Sequence, residues 1–507
     1  MSPVLSNSVR LISRLIETKV FLAVGLTEAK YLDTCFMLES RLYNVDDFLF
    51  FCNQNHYSLM RKITVLPCSR MVFDNQTTYV FIPGKNWKLS LAELVSFLQT
   101  REYRFDVCEF TESFFVVNID KSLNALVIAD LGGILKIARL ASNIATQAVK
   151  EAFLHENKEA QTQVKRGLSS SGVANEMLGT SSGRLVFGVS VYYADRSFRQ
   201  ISKSMQRFLG SFLKHELSAH GKRSGFMGFP RGRKQPQLSH VEVLKKGLVE
   251  RKAEVLFCIG KTRAAVSTTM AVHNPFEFQK RDIGRPVQRK IFAMPPRLAR
   301  IMVNLASCTP GKSLLDPFCG VGTILQEALL AKARVVGVDM NPWCVEATRE
   351  NLAWLEKEYK LKETEYTVTQ GDSRRLTNII QKEVDCITTE PDLGPALRQI
   401  PTTPYATRII DKLKPLYCDF LGEAYKSLKK DGRLVLVTPY IKTRSGKAVT
   451  MRIEEKALAA GFNSVYPFQS HVLAVDDTTK DDMTRMSSFV DVGEKHKIGR
   501  EIHIFQK

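Results

Sequence analysis

The run Leu315-Asp316-Pro317-Phe318-Cys319-Gly320-Val321-Gly322-Thr323 decides the fold of the second half of this chain. The short strand-like run Ser313-Leu314-Leu315 leads into an acid. Two glycines then precede the apolar-periodic stretch 324–331. That is the pattern of a strand, a tight turn and a helix. Gly320 and Gly322 allow the backbone to approach a ligand at the helix N-terminus, where amides and the helix dipole favour a carboxylate or phosphate. Leu325 stands where a dinucleotide fingerprint has its third glycine, which disfavours a nicotinamide cofactor.

Further strands are predicted over residues 335–338, 366–370, 386–389 and 434–438, with amphipathic helices between them. This alternation predicts a doubly wound parallel sheet. Each early strand ends in an acid. Asp339 lies 23 residues beyond Asp316, Asp372 follows the third strand, and the fourth runs into Glu390-Pro391-Asp392-Leu393-Gly394. A carboxylate at 339 can accept from both ribose hydroxyls, and one at 372 from an exocyclic adenine amine. One acid per strand end is expected where a nucleoside cofactor lies across the carboxyl edge of the sheet. Asp339, just before Asn341-Pro342, also suits a helix cap.

The chain has 507 residues and a formal charge of +20. That length predicts two to four domains, and the apolar and charged fractions are those of a globular protein. Residues 196–300 hold 23 Lys/Arg against 6 Asp/Glu, a net +17, leaving about +3 for the other 402 residues. So local an imbalance predicts an anionic partner, nucleic acid before a membrane surface. The 10 cysteines are scattered and none forms Cys-x-x-Cys, which speaks against a zinc ribbon or a disulfide scaffold and for a reducing compartment. No apolar run reaches the length of a spanning helix. Residues 1–18 carry Arg10, Arg14 and several serines before the first acid, Glu17. An amphipathic first helix is the preferred reading there, with a mitochondrial presequence as the minor alternative to a cytoplasmic protein.

The N-terminal half divides on pattern. Residues 1–70 form an extension of no assigned role. Residues 71–145 read as strand, helix, strand, a small α+β unit. The Ser/Gly-rich stretch within 146–183 reads as a linker or insertion. Residues 184–275 form a second α+β unit, 276–300 a linker, and 301–507 the doubly wound domain. In the second unit Arg199, Lys203 and Arg207 recur at helical spacing and predict one phosphate-facing row. Lys222, Arg223, Arg231, Arg233 and Lys234 lie in a glycine-containing loop that could conform to a nucleic-acid backbone. Phe226, Phe229 and Pro230 in that loop could stack on bases or anchor the loop.

Taken with its surroundings, the run from Asp316 to Leu329 resembles motif I of class I S-adenosylmethionine-dependent methyltransferases. More narrowly, the chain resembles THUMP-domain tRNA guanine-N2 methyltransferases. Arg281-Asp282-Ile283-Gly284-Arg285-Pro286, Ala293-Met294-Pro295-Pro296-Arg297-Leu298-Ala299 and Gly499-Arg500-Glu501-Ile502 are similar to further segments of that family. The resemblance is specific over residues 276–507 and weaker over 77–140 and 185–269. Those two stretches look like ferredoxin-like and THUMP domains. It implies an α/β fold, a Rossmann-like class I methyltransferase domain preceded by α+β ferredoxin-like and THUMP domains. It implies S-adenosylmethionine held by Asp316, Phe318, Gly320, Gly322, Thr323, Asp339, Met340, Asp372 and Ser373. Glu390, Pro391 and Asp392 would stand at the catalytic motif, with tRNA as partner, a small activating subunit left open, and no metal or membrane.

One departure from the family pattern matters chemically. Asp392 and Leu393 stand where the family's Asp-Pro-Pro-Tyr motif has its second proline and its aromatic. Glu390 and the Pro391 carbonyl retain the hydrogen-bond acceptors that raise the nucleophilicity of an exocyclic amine. The aromatic that would hold a flipped base is lost, and Tyr440, at the same sheet edge, is the best replacement. The resemblance therefore implies methyl transfer to guanosine N2 in tRNA. Two alternatives stay open: an RNA-binding or assembly protein that keeps the fold without turnover, and a methyltransferase for another base, DNA or protein.

Overall fold

The computed structural model describes residues 76–180, 183–228, 236–289, 294–475, 478–493 and 496–507. The expected N-terminal extension, and Phe229, Pro230, Arg231, Arg233 and Lys234 of the basic loop, lie outside the described residues.

The first sheet contains β1 (Thr77–Pro83), β2 (Phe105–Phe110), β3 (Phe115–Ile119), β4 (Ile134–Ala145), β5 (Leu185–Tyr193), β6 (Ser224–Met227), β7 (Glu254–Ile259) and β8 (Arg263–Val272). Their order is β2-β3-β1-β4-β8-β7-β5-β6. The two α+β patterns read from the sequence thus join in one sheet through the antiparallel β4–β8 pair. β6 and β7 flank β5 in parallel, so the expected basic loop is partly a strand.

The stretch expected to be a linker, 146–183, is largely helical. It forms Thr146–Phe153, Lys158–Ser170 and Val173–Leu178. Asn157 caps the second helix by accepting from the Glu159 and Ala160 amides, and left-handed Gly172 separates the second from the third. Val164, Leu168, Val173 and Met177 are buried in one core that also takes in side chains of β5 and of the helix Ser202–Ala219. Each buried side chain of this size contributes about 1.5–3 kcal/mol, enough to override the Ser/Gly content.

The second sheet has β9 (Ser313–Asp316), β10 (Arg334–Asp339), β11 (Tyr366–Gln370), β12 (Val384–Thr389), β13 (Leu428–Lys442), β14 (Ala448–Val449), β15 (Asn463–Ser464), β16 (Ser488–Asp491) and β17 (Ile498–Gln506). The main order is β11-β10-β9-β12-β13-β17-β15. The first five are parallel, and β17 inserts antiparallel beside β13. Chain order reverses at β9, so the crevice between the β9 and β12 carboxyl ends is the topological switch point.

The expected linker 276–300 is part of the fold. It contains the helix Pro275–Ile283 and the start of Pro296–Leu305. Arg281 and Arg300 both bond the fully buried Glu327, at 2.6 and 2.9 Å. Arg297 Nε donates to Gly132 O of the first sheet's unit at 2.7 Å. Glu93, on the helix Trp87–Thr100, accepts from the Gly132 and Gly133 amides and from Asn304 Nδ2. These arginines turn inward, so part of the +17 segment is structural rather than surface charge. No described helix is long and apolar enough to cross a membrane.

Candidate functional site

Of the predicted acids, Asp316 and Glu390 meet at the switch point, Asp339 reaches the glycine turn through the Gly320 amide, and Asp372 stands apart beyond the edge strand β11. Asp316 ends β9 and is buried. Its Oδ1 accepts from Thr389 Oγ1 at 2.7 Å and from the Phe318 amide at 3.2 Å. Burial, with Asp339 and Glu390 nearby, pushes its carboxyl up to about 7 despite those two donors. Asp339 Oδ2 accepts from the Gly320 amide and its Oδ1 from the Asn341 amide, both at 2.9 Å. The helix cap itself is Asn341.

The glycine turn is held from behind. Thr348 Oγ1 donates to Gly320 O and Asn351 Nδ2 to Val321 O, both at 2.9 Å. Gly320 and Gly322 have φ of 56° and 82°, the left-handed region. A Cβ at Gly322 would come within 3.0 Å of Thr348 Cγ2. At Gly320 it would meet nothing nearer than Arg289 Nη1 at 4.0 Å. A side chain at Gly322 would thus press on Thr348, whereas Gly320 faces open space. Thr323, at the helix start, accepts from the buried Arg285 Nη1 at 2.7 Å. Phe318 packs edge-on against Phe420, with centroids 5.4 Å apart.

A cavity of about 60 Å³ lies in front of this turn, lined by Arg289, Met294, Asp316, Phe318, Gly320 and Glu390 among others. It brings the motif I loop and the predicted catalytic strand end together. Asp372 lies at the end of β11, where Arg374 Nε and Nη2 grip its carboxylate at 2.7–3.1 Å. The Arg374 side chain and amide hold the Asp372 carboxyl below its usual range. Ser373 is buried, whereas Met340 is 67% exposed.

At the end of β12, Glu390 is paired with Arg500 of β17. Arg500 Nη2 donates to Oε1 at 3.1 Å and Arg500 Nε donates to Oε2. Pro391 is buried and Asp392 exposed. Asp392 Oδ1 accepts from the Gly394 amide at 2.9 Å, and the Asp392 carbonyl accepts from Tyr417 Oη at 3.0 Å. Leu393, at the family's aromatic position, is buried in the core. Tyr440, the predicted replacement, is half-buried on β13, opposite Gly499 and next to Pro439, which faces Arg500.

Arg285, Arg289, Thr389 and Arg500 were not singled out from the sequence as site residues. Arg500 carried one signal: a basic residue within the otherwise apolar-alternating strand Ile498–Gln506.

On the basic unit, Arg199, Lys203 and Arg207 are exposed along the turn Arg196–Arg199 and the helix Ser202–Ala219, and Arg223 is exposed before β6. Lys222 is half-buried. Phe226 packs on Phe187 with centroids 5.5 Å apart and fills the space over Gly210, so it anchors the loop.

The strand order, the antiparallel β17 insertion and the acid-edged glycine turn define a class I, Rossmann-like methyltransferase domain. Residues 285–464 match the UPF0020 family, described as RMKL-like, methyltransferase domain. The tRNA (guanine(10)-N2)-dimethyltransferase of Methanothermobacter thermautotrophicus is 38% identical over 159 residues, covering 31% of this chain and 42% of that protein. The probable tRNA (guanine(10)-N2)-dimethyltransferase of Methanothermococcus thermolithotrophicus is 30% identical over 146 residues, covering 28% of this chain and 79% of that protein. The chain belongs to the tRNA (guanine(10)-N2)-dimethyltransferase family. It spans less than half the length of the first curated relatives it matches, 42% and 38%. The solved structure of TrmN from Thermus thermophilus aligns with 85% of this chain and 99% of its own at 16% identity and a TM-score of 0.46.

A class I methyltransferase domain takes its methyl group from S-adenosylmethionine. The residues present fit that donor. Asp316 is a buried carboxylate that receives two neutral donors, and Gly320 leaves space where a side chain would intrude.

Proposed function

We propose that the chain methylates the exocyclic N2 of a guanosine in tRNA. One observation carries this reading: Glu390 shares the small cavity with Asp316, Phe318 and Gly320. An acceptor group entering beside Glu390 would therefore meet the donor site directly. The relatives' names make guanine 10 the first position to test.

The proposed roles follow from chemistry. Asp316 faces the methionine end of the donor, Asp339 the ribose, and Asp372 the adenine amine once Arg374 releases it. Phe318, Thr323, Met340 and Ser373 complete the lining. When bound, S-adenosylmethionine supplies a methyl made electrophilic by its sulfonium, the C–S bond breaking as the N–C bond forms. An aromatic amine is a weak nucleophile because its lone pair is delocalised into the ring. Glu390 and the Pro391 carbonyl accept hydrogen bonds from that amine, orienting it and returning electron density to nitrogen. Tyr440 is the aromatic proposed to hold the base, and Asp392 flanks the entrance. The amine's surplus proton leaves to water.

Arg199, Lys203, Arg207, Lys222 and Arg223 are proposed to hold the tRNA backbone, giving affinity and register rather than base reading. The THUMP-like assignment of residues 184–275 and the ferredoxin-like assignment of 71–145 belong to the same reading. A cytoplasmic location is proposed on composition, from the scattered cysteines.

The test is incubation of undermethylated tRNA with the purified chain and labelled S-adenosylmethionine, followed by digestion to nucleosides. Label in N2-methylguanosine or N2,N2-dimethylguanosine is expected. Label in another nucleoside rejects guanine N2. Turnover by the chain alone would dispense with a small activating subunit. A second reading, RNA binding without turnover, is favoured by the buried Leu393. It predicts tRNA binding with no label transferred to any nucleoside.

A further inference from the structure

Glu390 and Arg500 come from different parts of the sheet. Glu390 follows β12, Arg500 lies within β17, and β13 runs between those strands. Both Glu390 oxygens are engaged side-on by the guanidinium. The side chains are 12% and 11% exposed for Arg500 and Glu390. Asp491 lies opposite Arg500 in the β16–β17 register and adds a second negative charge. Burial opposes the Arg500 charge, but its bonds and attraction to Glu390, with Asp491, outweigh that and hold its pKa above the usual value.

A side-on guanidinium occupies one lone pair on each carboxylate oxygen and leaves the others open. It also removes the extra rotational freedom that glutamate has over aspartate. Protonating such a carboxylate would break an ion pair in a nearly dry site. We propose that Arg500 is a positioning residue: it anchors the longer Glu390 side chain with an open lone pair toward the acceptor amine and keeps Glu390 an acceptor rather than a proton-taking base. This rests on the reading of Glu390 as the group that meets the amine. The proton lost by the amine goes to water.

The test uses the full chain, undermethylated tRNA and saturating S-adenosylmethionine under single-turnover conditions, with labelled nucleosides separated after digestion. Arg500→Met keeps the aliphatic volume and removes the fork. Its rate should fall about 100-fold, the scale of a misplaced reacting group. Dissociation constants for tRNA and S-adenosylmethionine, measured separately, should stay within about twofold. Arg500→Lys, which keeps the charge without the fork, should fall between. Adding Glu390→Gln to Arg500→Met should slow the reaction no further, because both act through one carboxylate.

A second readout needs no turnover. In Arg500→Met the stranded Glu390 should take up a proton in the folded state, so stability should rise more steeply than in wild type as pH falls from about 8 to about 5. Glu390→Gln in that background should remove the extra slope. A rate within about threefold of wild type, multiplicative losses, or no extra slope would overturn the proposal. Label placed by wild type on another nucleoside overturns guanine as acceptor, while the variant ratios on that product still decide the role of Arg500. A wild-type chain that labels no nucleoside overturns unaided methyl transfer, and the pH slopes alone then decide whether Arg500 holds Glu390.

Discussion

Thr389 and Asp316 stand on neighbouring strands of the second sheet, with Thr389 Oγ1 donating to Asp316 Oδ1 at 2.7 Å. The bond leaves a buried carboxyl with neutral donors only, and burial raises its pKa to about 7. Its unfolded value is near 4, so between about pH 4 and pH 7 the folded chain keeps a proton that the unfolded chain releases. This contribution to stability is complete at low pH and is lost as pH rises through that window. Asp316→Asn cannot make the change, so its stability advantage over wild type should grow from about pH 5 to pH 8, toward an order of 4 kcal/mol. Denaturant melts at the two pH values check it. The ionised carboxylate should favour the donor's ammonium, so S-adenosylmethionine should bind wild type more tightly as pH rises toward about 7. Calorimetry should show that dependence lost, with weaker binding, in Asp316→Asn.

Gly320→Ala and Gly322→Ala should separate binding from packing. Both positions have positive φ, which costs alanine on the order of 1 kcal/mol. Only Gly322 adds a tight contact, with Thr348 Cγ2 at 3.0 Å. Gly322→Ala should lower the melting temperature more. Gly320→Ala should lose proportionately more donor affinity, because its methyl enters the cavity side. Equal effects of both changes on melting and on binding would contradict the distinction.

Asp372 is closed by its own neighbour. The Arg374 side chain occupies the carboxylate oxygens proposed for the adenine amine. That pair is exposed and weak, so release is cheap but not free. Arg374→Ala should tighten S-adenosylmethionine binding about two- to fivefold and Asp372→Asn should weaken it, the former effect shrinking in high salt. An Arg374→Ala chain that binds more weakly would mean that Arg374 itself holds the donor.

The acids at the strand ends were legible in the sequence because a doubly wound sheet places successive parallel strand ends along one edge. Asp316, Asp339, Asp372 and Glu390 each follow a short strand that its β-branched and apolar residues made readable. Arg500 was visible, but its role depends on Glu390, 110 residues away and on the far side of β13. Nothing local encodes such a pairing. Residues 146–183 misled through composition: residues 169–172 mark the break between two helices, while Val164 and Leu168 of one and Val173 and Met177 of the next are buried in one core. The +17 segment misled in part because a charge count cannot separate Arg199, which faces solvent, from Arg281 and Arg300, which clamp Glu327 inside the fold.

The exposed portion of that charge gives the last prediction. Arg199, on the turn before the helix Ser202–Ala219, and Lys203 and Arg207 on it follow one another at four-residue intervals and are all exposed, while Met205, Leu209 and Leu213 of that helix are buried. Replacing the three cations by glutamine therefore changes surface charge without opening the core. If each meets a phosphate, the slope of log affinity against log salt should become shallower by about 2–3, since each contact contributes roughly 0.7–0.9. Affinity for unrelated RNAs should fall in parallel, because backbone contacts carry little sequence information. Arg281→Gln should behave differently: it removes a buried partner of Glu327, so melting temperature should drop by the equivalent of about 3–5 kcal/mol, while the salt slope of the folded chain stays unchanged. Filter-binding titrations over a salt series, paired with melting curves, separate the two. An unchanged slope in the triple variant would remove this helix face from the RNA footprint.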